Sequence, residues 1–114
     1  MAKLPEATVK IIFDLQRQLL ERIDEATVTE AVIFEQFGEN EETITELEQL
    51  QKVKERAITS YSRLYTLLLR VYESQPLATF AILKLLETSI EQAAATNAAA
   101  KASVQDTKRN WNLL

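Results

Sequence analysis

The sequence of 114 residues contains no cysteine and no histidine, and it has only one glycine and two prolines. Without Cys and His, four features are excluded: a disulfide scaffold, a zinc site built on these ligands, a cysteine nucleophile and a histidine-based triad. Sandwiches and barrels need glycine and proline at their turns, so the scarcity of both argues against an all-β fold. Because the chain has no cysteine and opens without a basic-then-apolar leader, we expect a cytoplasmic protein.

The formal net charge is −4, which argues against nucleic acid as a partner, because nucleic-acid binders usually carry a basic excess. The charge is unevenly spread. Residues 1–50 hold four basic and twelve acidic side chains, and residues 51–114 hold nine basic and five acidic ones. The densest apolar run, residues 77–86, contains Lys84 and is about half as long as a bilayer crossing requires. We therefore expect the two halves to attract each other and the membrane not to be a partner.

Residues that break helices occur at two interior places. At the first, Gly38 can end a helix with a positive φ, and Asn40 or Thr43 can cap the next helix. At the second, Ser74 is suited to cap a helix whose first turn contains Pro76. These signals divide the chain into three helical segments.

The segments predict helices at about 5–37, 41–73 and 76–110 within one helical-bundle domain, residues 1–114. At 1.5 Å per residue each helix would be about 50 Å long, which is typical of bundles and coiled coils. The predicted fold is all-α, with long antiparallel helices in an up-down bundle. Residues 24–30 are a weak stretch because β-branched side chains occur there, so a kink or break at this point is left open.

Apolar positions follow helical spacing in the first two helices. The second helix carries Leu50, Ala57, Leu64 and Val71 every seven residues, and tyrosines flank this line. Such a wide apolar arc is typical of a helix that contacts two neighbours. In the first helix the apolar positions at helical spacing are Val9, Ile12, Phe13, Leu19, Leu20, Ile23, Ala26, Ile33, Phe34 and Phe37. Arg22 places a charge within the apolar stripe of the first helix, which a kink near Asp24 would explain.

The third helix begins apolar on nearly every side, which is typical of a helix surrounded by other helices. One chain supplies only two neighbours, so we expect a homodimer to complete the bundle. The alternative is a monomeric three-helix bundle with this segment at its centre. Asn97 lies in line with apolar residues at seven-residue spacing, where a single Asn can fix register and partner number. Alternatively, Asn97 turns outward.

The C-terminus contains the only tryptophan, Trp111, and ends in two leucines. Chain ends usually fray unless they are tied down. We expect this segment to dock on the bundle or on a second protomer, and a docking motif for another protein is the alternative. Together with the third helix it gives the predicted partner interface: Leu77, Phe80, Leu83, Leu86, Ile90, Asn97, Val104, Trp111, Leu113 and Leu114.

Basic side chains form one stripe on the second helix, at Lys52, Arg56, Arg63 and Arg70. In a hairpin, acidic residues of the first helix come near the same levels, so ion pairing within the bundle is the interpretation we favour. The alternative is a stripe that binds a polyanion or an acidic partner.

No motif predicts catalysis, a cofactor or a metal site. The acidic stretch 39–48 lacks the glycine and ligand spacing of a calcium loop, and acids are favoured at a helix start in any case. No pair of carboxylates interrupts an apolar face, as general acid–base work would require. The predicted function is therefore non-catalytic: an interaction, scaffold or regulatory adaptor protein acting through helix–helix contacts. The alternative is an accessory subunit of a nucleic-acid-associated complex that uses the basic stripe.

Overall fold

The computed structural model describes residues 4–74 and 79–113, which form three α-helices packed against one another. Helix α1 spans Glu6–Phe37, α2 spans Glu41–Glu73 and α3 spans Phe80–Asn110. The all-helical prediction is confirmed, and the bounds of α1 and α2 agree with the predicted ones to within one residue. The bundle measures 56 × 21 × 17 Å.

Helix α1 continues through residues 24–30, so the break that the sequence left open does not form. The hydroxyl of Thr27 donates to the carbonyl oxygen of Ile23 at 2.8 Å, and that of Thr29 donates to the carbonyl oxygen of Glu25 at 2.7 Å. These bonds satisfy both hydroxyl groups inside the helix. Thr29 can therefore be buried, at 2% exposure, without an unpaired polar atom.

The turn between α1 and α2 depends on Gly38 and Asn40. Gly38 has φ 71° and ψ −162°, a combination almost confined to glycine, and its N–H donates to the carbonyl oxygen of Phe34 at 3.0 Å. The Oδ1 of Asn40 accepts hydrogen bonds from the backbone N–H groups of Glu42 and Thr43, at 3.0 and 3.1 Å. The backbone N–H of Asn40 donates in return to Oγ1 of Thr43 at 2.8 Å. Asn40 is thus the cap of α2, and Thr43 completes its capping box.

Ser74 ends α2 instead of capping α3, which corrects the prediction. Its N–H and its hydroxyl both donate to the carbonyl oxygen of Arg70, at 3.1 and 2.7 Å. The cap of α3 is Thr79, whose Oγ1 accepts from the N–H of Ile82 at 3.2 Å. A serine hydroxyl can donate at a helix end as well as accept at a helix start, so residue type alone does not distinguish the two roles. The predicted start at Pro76 lies outside the described residues.

The core consists of two apolar clusters. The first gathers the early part of α1, the later part of α2 and the early part of α3: Ile12, Leu15, Leu19, Ala57, Leu64, Leu67, Val71, Leu86 and Ala93. The second gathers the remaining halves: Ala26, Ile33, Leu50, Val53, Ala100 and Val104. The seven-residue line predicted on α2 is fully buried, at 0–1% exposure, and it runs through both clusters.

Candidate interaction surfaces

Most of the predicted α3 interface lies inside the chain's own bundle, which corrects that part of the prediction. Leu86 and Val104 are buried in the two core clusters, at 2% and 1% exposure. Leu83 and Ile90 are partly buried and pack against the first cluster. Leu86 and Val104 are therefore not free to bind a partner, whereas Leu83 and Ile90 keep part of their surface exposed. Phe80 differs, because it is 83% exposed.

The C-terminal segment docks on its own bundle. Trp111 and Leu113 pack against the second core cluster. The ring of Trp111 also lies edge-on against Phe37, with centroids 4.8 Å apart and an interplanar angle of 60°. The side chains of Trp111 and Phe37 therefore close the end of the bundle at which α1 ends. Leu77 and Leu114, which were also predicted at the interface, lie outside the described residues.

Asn97 faces α1 of its own chain. Its Nδ2 donates to Oε1 of Gln18 at 2.9 Å, and its Oδ1 accepts from Nη1 of Arg22 at 3.5 Å. Arg22 is only 7% exposed, and its Nη2 donates to carboxylate oxygens of Glu25 and Glu21, at 3.0 and 3.3 Å. In the described part of the chain, the buried Nε of Arg22 has no hydrogen-bond partner.

Gln18, Arg22 and Asn97 form a polar layer that separates the two apolar clusters. Along α1 it lies between Leu19 and Ala26, and along α3 between Ala93 and Ala100. A polar pair within an apolar line disfavours other registers, because a shifted helix would leave the amide of Asn97 without its partners on α1. Asn97 thus has its partners within the chain, whereas the sequence suggested a role between copies. Arg22 is accommodated by the acidic neighbours of its terminal group and not by a break in α1.

Large apolar side chains remain exposed on the outer face that α1 and α2 share. Those of α1 recur at intervals of seven or fourteen residues, and most of those of α2 do the same. Their exposed fractions range from 41% to 56%. Seven-residue spacing keeps side chains on one side of a helix, so each set forms a stripe. These residues, termed the α1–α2 face, are Phe13, Leu20, Phe34, Ile44, Ile58, Tyr65, Leu69 and Tyr72.

The two stripes lie beside the contact line between the helices. The Nζ of Lys54 forms an ion pair with Oε1 of Glu30 at 2.7 Å, across the α1–α2 contact. Phe34 is four residues after Glu30, and Ile58 is four residues after Lys54, so each is a helical neighbour of the pair. Ile33, which lies inward of the same pair, is buried. The stripes therefore flank the ion pair on its outer side. The sequence did not reveal this exposure, because the α1 members fit the same periodicity as the core.

The basic stripe of α2 lines a shallow groove between α2 and α3. Lys52, Arg56 and Arg63 line its middle, and Arg70 lines its continuation towards the start of α3. Within residues 4–74 and 79–113, none of these four cations forms an ion pair. The predicted pairing with α1 is therefore not present, because α1 packs on the other side of α2. Arg63 instead donates from Nη1 to Oε1 of Gln92 at 2.9 Å.

The facing wall of the groove is built from small side chains of α3. Ala95, Thr96, Ala99 and Ser103 line one stretch of it. Acidic groups lie at the far end, where Asp106 lines the groove together with Glu46, whose Oε1 accepts from the hydroxyl of Thr107 at 2.6 Å. The groove is thus basic along most of α2 and acidic at one end.

The acidic stretch that opens α2 is a solvated helix start. Glu41 and Glu42 lie exposed in the first turn. Among the residues that the structure describes, no three acidic side chains converge as a metal site would require. Over the same residues, no helix combines the length and the apolar character needed to cross a bilayer.

The sequence matches no protein-family model, and neither a curated protein nor a solved structure matches the chain. Its surfaces are therefore the basis for assigning a role, since an all-helical bundle hosts many unrelated functions.

Proposed function

We propose that the protein is a small, non-catalytic cytoplasmic scaffold or adaptor that acts through helix–helix contacts and pairs as a homodimer through the α1–α2 face. The absence of cysteine supports a reducing compartment. The exposed area of the α1–α2 face is the observation that carries the proposal.

An antiparallel, up-down arrangement of the helices is part of this proposal. On α2, Glu46 is hydrogen-bonded to Thr107, whereas Arg63 is hydrogen-bonded to Gln92. These two contacts support an arrangement in which residue numbers rise along α2 as they fall along α3. The core clusters support the same relation between α1 and α2, because each joins the early part of one helix to the later part of the other.

The area of the α1–α2 face matches what a stable dimer needs. A fully exposed aromatic side chain offers about 150–250 Å², so eight large apolar side chains at about half exposure present roughly 700 Å². The largest apolar patch on a typical monomer covers about 300–600 Å². A standard interface buries about 800 Å² on each partner. The face is thus larger than a usual monomer surface patch and close to one side of an interface.

A second copy of the chain is the occupant that the charges favour. Every seventh position from Phe13 to Phe34, and from Ile44 to Tyr72, is uncharged. The ion pair between Glu30 and Lys54, which lies beside the stripes, is neutral overall and largely buried. Two copies can therefore approach face to face without burying an unpaired charge, whose desolvation would be costly.

A non-catalytic role is supported by the arrangement of the polar groups. Those on the basic stripe form a row along an open groove, with successive arginines about 10 Å apart at 1.5 Å per residue. Enzyme pockets instead enclose the ligand and bring a few polar groups together around it. The chain also lacks histidine, the commonest general acid–base residue.

The mass in solution tests the proposed function. We expect twice the chain mass of 13.0 kDa for the native protein, and the chain mass for a variant with a charge in the α1–α2 face, such as Leu20→Asp. A native mass of 13.0 kDa at every concentration would overturn the homodimer.

A second candidate function, as an accessory subunit of a nucleic-acid-associated complex, is favoured by one observation: among the described residues, no side chain of the basic stripe is ion-paired. The net charge of −4 and Glu55 beside the stripe weigh against it. Titration of labelled DNA and RNA at low salt tests this candidate, since phosphate contacts are strongest there. Binding that Arg63→Glu abolishes would support it, and absence of binding at low salt would remove it.

A further inference from the structure

We propose that the groove between α2 and α3 is a second binding surface, which takes an amphipathic α-helix of a partner protein that carries acidic residues every seven positions. This inference goes beyond the homodimer, because the α1–α2 face lies on the opposite side of α2. One chain could thus pair with its copy and hold a different protein at the same time, as an adaptor does.

The groove is continuous along most of α2. Arg56 lines three of its stretches, from the end near Asp106 to the middle. Arg63 and Gln92 line both the middle and the stretch that reaches Arg70. Arg56 and Arg70 are fourteen residues apart, so the basic part of the groove extends about 20 Å at 1.5 Å per residue. That length accommodates about four turns of a helix.

The shape of the groove suits a helix. Its α3 wall carries Ala95, Ala99 and Ser103, whose short side chains permit close approach of another backbone. Val53 and Leu67 form apolar parts of the lining. A helix laid in this groove would contact α2 and α3 together and give a four-helix arrangement, in which helices pack about 8–10 Å apart.

The charges in the groove select an acidic occupant. Along the basic part of the groove, four cations and one acid, Glu55, line the α2 wall, and none of the four cations is ion-paired within the described residues. An arginine that meets a carboxylate forms a charge-assisted hydrogen bond about twice as strong as a neutral one. Arg63 at present bonds only the neutral Gln92, so a carboxylate would be the stronger partner.

The spacing favours a helix over a nucleic acid. The arginines recur every seven residues along α2. A neighbouring helix with an acidic residue at every seventh position would therefore place one carboxylate beside each arginine. Phosphates of one DNA strand recur about every 3.4 Å along the axis, so a duplex would leave most of its charges without a partner here. A partner helix can also bury apolar surface against Leu85, which is 52% exposed at one end of the groove, and a phosphate backbone cannot.

The probe for the test is a synthetic, end-capped amphipathic peptide of about 15 residues, the length of four helical turns, with Glu at every seventh position and a Leu/Ala face. Its fluorescence anisotropy is measured with the native protein, with Arg63→Glu and with the matched charge reversal Lys101→Glu. Lys101 is exposed on α3 and does not line the groove. We expect Arg63→Glu to weaken binding at least about tenfold, and Lys101→Glu to change it less than about twofold.

Amide chemical shifts locate the peptide and separate this proposal from the homodimer. We expect shift changes over residues 56–70 and 92–103, and we expect Leu20→Asp, which removes the dimer, to leave peptide binding intact. Three outcomes would overturn the proposal: no binding by the native protein, equal binding by Arg63→Glu, or tighter binding of single-stranded or duplex DNA than of the peptide. Circular dichroism of each variant confirms that it is folded.

Discussion

Arg22 of α1 and Asn97 of α3, which are 75 residues apart in the chain, meet in the middle of the bundle with Nη1 and Oδ1 3.5 Å apart. Asn97 is also held by Gln18, at 2.9 Å. These contacts lie between two apolar clusters, and they join α1 to α3 at one level. A shift of α3 by one turn would bring an alanine to this level in place of Asn97. The amide of Asn97 would then lose both of its partners on α1, although Arg22 would keep Glu21 and Glu25 of its own helix.

Replacing Asn97 by alanine should reduce stability. We expect Asn97→Ala to lower the free energy of unfolding by about 1–2 kcal/mol, because Gln18 and Arg22 each lose a hydrogen-bond partner in a partly buried site. Urea denaturation measures the change. The matched control is Gln105→Ala on the exposed side of α3, for which we expect a change within about 0.5 kcal/mol. Equal effects of both substitutions would contradict the role of Asn97.

Replacing the polar layer by apolar side chains should keep the stability but reduce the specificity of the packing. The Nε of Arg22 is buried without a hydrogen-bond partner, so the desolvation of this N–H group already lowers the stability of the native protein. We expect Arg22→Met combined with Asn97→Leu to be as stable as the native protein or more stable by about 1–3 kcal/mol. Amide spectra should show more than one set of signals, because helix register is no longer specified. A single sharp set of signals would show that the layer does not determine register.

The contact between Trp111 and Phe37 should stabilise the end of the bundle. We expect Trp111→Ala to cost about 1–3 kcal/mol, less than the loss of a fully buried tryptophan, because the indole is only partly buried. Hydrogen exchange should become faster in the last turns of α1. The control is Trp111→Phe, which keeps an aromatic contact and should cost less. Unchanged exchange in Trp111→Ala would mean that the docked end contributes nothing.

The backbone at Gly38 should tolerate neither alanine nor asparagine. A Cβ at this position would meet no atom within 4 Å, so any cost comes from the backbone and not from crowding. Because ψ is −162°, Gly38 lies outside the left-handed helical region that asparagine accepts. We expect Gly38→Ala and Gly38→Asn each to cost about 1–3 kcal/mol in thermal or urea unfolding. A clear advantage of Asn over Ala would contradict this conformation.

The bounds of α1 and α2 could be predicted from the sequence because the residues that break the chain between these two helices are few and unambiguous. Gly38 and Asn40 mark the first turn, and the line from Leu50 to Val71 marks the buried side of α2. The sequence does not specify which neighbour lies on which side of that line. Both flanks of α2 are apolar, with Tyr61 and Leu68 on one and Val53 and Leu67 on the other.

This ambiguity explains why the candidate surfaces were assigned wrongly or missed. The basic stripe was expected to face α1, but it faces α3, because α1 packs on the other flank of α2. Phe13 and Leu20 fit the same helical spacing as the core of α1, but they lie one position after the buried Ile12 and Leu19 and are half exposed. In a helix, a neighbour of a core position is buried only where a second helix covers it, and that depends on the tertiary arrangement.

Variants can assign the homodimer to the α1–α2 face. We expect Leu20→Asp and Ile58→Asp each to give a monomer, because a carboxylate would be buried without a partner at the interface. Val28→Asp is the matched control, since Val28 is 53% exposed on α1 but lies outside the α1–α2 face. Size-exclusion chromatography with light scattering distinguishes the two states. Dissociation by Val28→Asp alone would place the contact elsewhere on α1.

Sedimentation equilibrium of the native protein over a wide concentration range measures whether the chain forms the homodimer. We expect a mass of twice 13.0 kDa that falls towards the chain mass only on strong dilution. A mass of 13.0 kDa that does not change with concentration would contradict it, because the α1–α2 face would then remain exposed to water in the working protein.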